Sequence, residues 1–152
     1  WLHLLKGWSL LRTRGDSHLY SENLLERLLI VQLPRGDKVI EHGNLSFNQK
    51  LVLVDSLDII QDHVISALRN LNKLRNQCAH QLGRQITDAD VTRIGCSLGK
   101  EFSRMKHTAE YEHEVLLRLV VSYICGYLTA QCDHLEKPDT KERGSGEPKT
   151  KE

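Results

Sequence analysis

The chain has 152 residues, enough for one domain with a proper core, and its 21 Lys and Arg nearly cancel its 20 Asp and Glu to leave a formal net charge of +1. That balance excludes a molecule whose whole surface field draws in nucleic acid or an acidic partner. Four cysteines, Cys78, Cys96, Cys125 and Cys132, show no C-x-x-C spacing, so a zinc ribbon is excluded and the thiols read as reduced core residues of a cytoplasmic protein.

Residues 1–16 open with Trp1, Leu2, Leu4, Leu5 and Trp8 and read as an arm or partial helix packing on the body, broken at Gly15-Asp16-Ser17. The folded domain is expected over 17–134. Its first helix starts at Ser17 or Ser21, carries Leu24, Leu25, Leu28 and Leu29 at core spacing, and stops before Pro34. From Pro34 to Asn44 a loop is predicted, with Val39-Ile40 as a strand-like fragment that has no partner. Ser46 and Gln49 have the form of a capping box, so a helix begins there and runs to about Leu57, either breaking near Asp58 to Gln61 or continuing into the next helix.

The next helix is the one the chain is organised around. Ile60, Val64, Ala67, Leu68, Leu71, Leu74 and Cys78 make one apolar stripe at about 100° per residue, and Arg75 falls inside it. Arginine cannot shed its charge to relieve burial, so the position calls for a carboxylate, water or an anion such as phosphate. An internal acid such as Asp55, Asp58 or Asp62 is the plain structural alternative to a visiting anion. On a straight helix His80 lies roughly 140° round from Arg75, so the two face one small site only if the chain bends or a second copy supplies the missing partner. Residues 64–106 hold eight basic side chains against three acids, which is either a solvated face or an anion-binding patch.

Thr87 is the natural N-cap of a further helix, with Asp88 and Asp90 at its positive end, and Val91, Ile94, Leu98 and Phe102 continue as an amphipathic stripe. A last helix is expected from about Ala109 to His134, apolar nearly all round between Val115 and Ala130. Arg118, Ser122, Gly126 and Thr129 interrupt it, leaving less than the ~18 to 20 apolar residues a membrane span needs, so it reads as the centre of a bundle with no membrane role. Residues 135–152 balance five basic against five acidic residues from Glu136 on, without core formers, and read as a charged tail. His63, His107 and His113 read as surface residues. No nucleotide-binding glycine loop, H-E-x-x-H or G-x-S-x-G is present, so no cofactor and no metal site is expected.

Arg75-Asn76-Gln77-Cys78-Ala79-His80, late in an amphipathic helix and closed by Gly83, resembles the R-polar-x3-H signature of the HEPN superfamily. The resemblance covers about 17–134 and implies an all-α fold, an antiparallel bundle of four to five helices. In family members that are ribonucleases, two protomers bring their motifs together across a two-fold axis and cleave RNA without metal. The resemblance thus implies a homodimeric endoribonuclease of toxin–antitoxin or defence type, with RNA as substrate and an antitoxin protein as a further partner. Carried over by position, Arg75 binds the scissile phosphate, His80 acts as general acid or base and Asn76 orients them, while Arg69, Lys73 and Arg84 supply nucleic-acid contacts. Other members are non-catalytic regulators or adaptors that bind nucleotide, RNA or protein, which is the alternative. The His-x-Tyr continuation through which some such toxins are silenced by adenylylation is missing: Leu82 stands where the tyrosine would be.

Overall fold

In a computed structural model, residues 20–81, 84–110 and 112–137 are described. The expected arm over 1–16 and all but the start of the tail over 135–152 lie outside those residues. The described chain is all-α: α1 (Tyr20–Gln32), α2 (Gly36–Gly43), α3 (Phe47–Ser56), α4 (Asp62–His80), α5 (Asp88–Gly95), a 3-10 turn (Cys96–Leu98), α6 (Lys100–Thr108) and α7 (His113–Glu136). Seven α-helices among the described residues exceed the four to five expected, for two local reasons.

The first is α2, where a loop was predicted. The carbonyl of Arg35 accepts from the backbone N–H of Lys38 and Val39 and starts the turn, and Asn44 ends the helix in the left-handed conformation that asparagine tolerates. Gly36 holds α2 to α1: a Cβ there would lie 2.2 Å from the Leu29 carbonyl oxygen and 2.5 Å from the Ile30 Cα. The second is Gly99, whose φ of +57° breaks the stripe that runs through Val91, Ile94, Leu98 and Phe102. All four side chains are still buried, two on each side of the turn's start.

Both capped starts form as the residues dictate. Ser46 accepts from the Gln49 backbone N–H while the Gln49 side chain accepts from the Ser46 backbone, and Thr87 and Asp90 make the same reciprocal pair. Asp58, with φ of +54°, sits in the break between α3 and α4.

The core is one cluster. Leu24, Leu25, Leu28 and Leu29 of α1 meet Leu51 and Val54 of α3, Val64, Ala67, Leu68 and Leu71 of α4, and Leu116, Val120, Ile124 and Leu128 of α7. Helix α4 packs on α3 and α5, and α7 packs on α1, α5 and α6. The first and last described helices run parallel rather than antiparallel: Tyr20 meets Thr129, the Leu24 carbonyl meets the Cys132 thiol, and Arg27 reaches Asp133 and Glu136. Arg27 donates to Glu136 at 2.7 and 2.6 Å, which carries α7 two residues past the expected end at His134 and holds the Glu136 carboxyl below its usual range. By length and composition α7 could cross a membrane, although it was expected to fall short; a third of its most apolar stretch is buried against its neighbours.

Gly36→Ala should lower stability by about 1–3 kcal/mol, because the new methyl strikes α1 backbone that cannot swing aside. Chemical denaturation with unchanged slope checks it, and a neutral result would mean that α2 does not press on α1 as described.

Candidate functional site

Helix α4 runs without interruption from Asp62 to His80, and its end is closed by the Gln81 N–H donating to the Gln77 carbonyl at 3.1 Å. Because the helix is continuous through the motif, the motif residues are distributed over two faces.

One face looks out. Arg69, Asn72, Lys73, Asn76, Gln77, His80 and Gln81 line an open groove of about 520 Å³, and Asn48 from the start of α3 closes its side. The predicted residues Arg69, Lys73, Asn76 and His80 are therefore brought together. Arg69 also donates to Asp55 at 2.5 Å, which fixes its guanidinium along the α3 side of the groove. Lys73 is exposed and makes no ion pair among the described residues. His80 is exposed, and no described residue orients its ring. A groove of this kind offers cations for phosphate, amide groups for base or sugar edges, and an imidazole that can take up or give a proton.

The other face looks in, and Arg75 is on it, 37% exposed and outside the groove. Its Nη1 is buried, makes no hydrogen bond, and lies 3.8 Å from Glu22 Oε2. The nearest carboxylate is thus on α1, and the internal acids expected from sequence do not serve: Asp55 is turned to Arg69. Glu22 and Glu26 accept from Lys50 of α3 at 2.8 and 2.6 Å, and Lys50 is only 5% exposed. Burial alone would push the Lys50 ammonium down; the two carboxylates outweigh it and hold it above its ordinary value.

Arg84 is placed differently from the expectation that it contacts nucleic acid. It donates to Gln77 Oε1 and, at 2.9 Å, to Asp90 Oδ1, so it ties the chain after α4 back onto α4 and α5. Asp90 is 3% exposed and also accepts from the Thr87 N–H and hydroxyl at 3.1 and 3.0 Å. Burial pushes its carboxyl up, but the Thr87 bonds and the charges of Arg84 and Arg93 prevail and hold it below the usual carboxylate range.

Sequence reasoning missed Asn48, Asn72, Gln77 and Gln81 as groove residues, and Lys50, Glu22 and Asp90 as buried charges. The spacing 69, 72, 73, 76, 80 on one helix was the available signal for part of the groove. Among the described residues no group of three or more His, Cys, Asp and Glu side chains is placed to hold a metal ion. The cysteines are free; burial pushes the thiols of Cys78, Cys125 and Cys132 up, while Cys96 is exposed rather than in the core. His63 is not a plain surface residue: its ring meets Tyr127 edge-on with centroids 6.5 Å apart. Comparison with family models, with curated proteins and with solved structures finds no match to this chain.

Asp90→Ala should cost about 2–4 kcal/mol at neutral pH by stranding Arg84 and opening the Thr87 cap. Since the folded carboxyl titrates below its unfolded value, that contribution is complete above the unfolded value and fades as pH falls through the folded one. Melting curves of both proteins should therefore converge in strong acid; a constant gap would contradict the charge-based role.

Proposed function

We propose that this chain is a HEPN-like, metal-independent endoribonuclease of toxin–antitoxin or defence type, whose active groove on α4 is completed by a second copy of the chain. The observation that carries the reading is the shared groove: His80, a proton carrier, and Asn76 stand with Arg69 and Lys73 along one open face. Arg75 adds support, since its Nη1 is the buried side-chain polar atom left without a hydrogen bond among the described residues.

The reaction follows from the groups. RNA lies with its phosphates along Arg69 and Lys73. His80 takes the proton from the ribose 2′-OH, whose oxygen attacks the adjacent phosphorus. The bond to the 5′-oxygen breaks, and that oxygen takes a proton from the second copy's histidine. The products are a 2′,3′-cyclic phosphate and a free 5′-hydroxyl. Arg75 steadies the charge that grows on the phosphoryl oxygens. A second copy is required because α4 carries Arg75 and His80 of one copy on different faces.

A second reading is favoured by one observation. Arg75 rests against Glu22 and no described residue orients His80, the arrangement suited to a non-catalytic adaptor that only binds RNA or a nucleotide.

Purified protein with single-stranded RNA in excess chelator decides between them. The enzyme leaves cyclic-phosphate ends; His80→Ala cuts the rate by about 10²- to 10⁴-fold with little change in RNA affinity, and Arg75→Ala is comparably damaged when assayed well below its own melting temperature. RNA binding without cleavage establishes the adaptor. In either case Lys73→Ala should weaken RNA binding and lower its salt dependence by about one phosphate contact; no change there would remove RNA from the groove altogether.

A further inference from the structure

Gln77 is a groove residue whose amide is already half committed. Arg84 carries donors only, so the end of the amide that meets it is the oxygen, Oε1. The other arm of the guanidinium donates at 2.9 Å to Asp90, which is almost fully buried and itself accepts from the Thr87 N–H and hydroxyl. A buried carboxylate thus fixes a guanidinium fork, and the fork fixes which way round the amide sits. What Gln77 has left is Nε2, a donor that makes no hydrogen bond among the described residues.

A donor without an acceptor beside it selects its ligand. Reading a base edge bidentately takes both ends of an amide, as when one side chain donates to adenine N7 and accepts from the adenine amino group. Gln77 has spent its oxygen and can only give. The non-bridging oxygens of a phosphate only accept. Gln77 also stands one turn after Lys73 and one turn before His80 on α4, and all three line the groove. A phosphate on Nε2 therefore has a cation for one neighbour and the imidazole for the other.

We propose that Gln77 is a phosphate ligand of the groove, donating through Nε2 to a non-bridging oxygen of the RNA backbone, and that Arg84 and Asp90 are positioning residues that act through it. This role rests on the groove being an RNA site, and it adds a contact that carries no base preference. It also gives Arg84 a part in RNA binding without touching RNA.

The full chain is titrated with 2′-O-methyl oligouridine and oligoadenosine, whose blocked hydroxyl prevents cutting. Gln77→Glu keeps an oxygen for Arg84 and exchanges the free donor for an acceptor, while Gln77→Met removes the donor without adding charge. Each should weaken both oligomers by the same factor, about 10-fold or more, and Gln77→Glu should melt no lower than the unaltered chain. Arg84→Lys keeps the charge but not the fork. It should weaken binding in the unaltered chain and add nothing in the Gln77→Met background. Unchanged affinity in Gln77→Met overturns the proposal, since any loss in Gln77→Glu is then charge repulsion alone. A loss confined to one of the two oligomers overturns it in favour of a base contact. An effect of Arg84→Lys that is as large in the Gln77→Met background overturns the positioning role. The Gln77 variants decide the phosphate contact whatever Arg84→Lys does to the melting temperature. An unaltered chain that binds neither oligomer overturns this role together with the proposed function, whereas the other contrary results overturn this role alone.

Discussion

A buried ammonium organises one side of this molecule. Lys50 has left water almost completely, which is tolerable only because Glu22 and Glu26 of α1 receive its protons at hydrogen-bond distance. A third helix joins through Arg75, drawn toward the same Glu22. Three helices are thereby registered against one another by charge as well as by leucines. Losing Glu22 or Lys50 leaves a nearly buried opposite charge without its partner, so this side of the bundle depends on charges that lie outside the motif.

The division of α4 into two faces gives the groove its character. The inward face holds the apolar stripe and the half-buried Arg75, and the outward face gathers amides, two cations and an imidazole. Arg84, paired with a buried aspartate, donates to Gln77 and so fixes one of the amides that line the groove. Stability and exposed chemistry are thus assigned to opposite sides of a single helix.

What could be read from the residues were features written in local order. The caps at Ser46 and Thr87, the stop before Pro34 and the course of α4 are all encoded within a few positions. What escaped were features that need a third dimension. Helix α2 has only Val39 and Ile40 as apolar content and is secured by a glycine fitting against α1 backbone, which leaves no periodic trace. The internal partners that sequence offered Arg75 as the alternative to a visiting anion were Asp55, Asp58 and Asp62, whereas the carboxylate beside it belongs to another helix far along the chain. Arg84 counted as a free cation because nothing local revealed that Asp90 would be buried beside it. Composition identifies a charge, but only packing tells whether it is spent internally.

The parallel pairing of α1 with α7 bears on how the chain is made. Residues more than a hundred positions apart must meet before the leucines of α1 are fully covered, while the salt-bridged cluster among α1, α3 and α4 draws only on the first half of the polypeptide. During synthesis that polar cluster can close before α7 exists, and the greasy flank of α1 stays bare until α7 follows. Helix α7 is therefore the clasp, and nascent chains cut short ahead of it carry a sticky surface that chaperones would recognise.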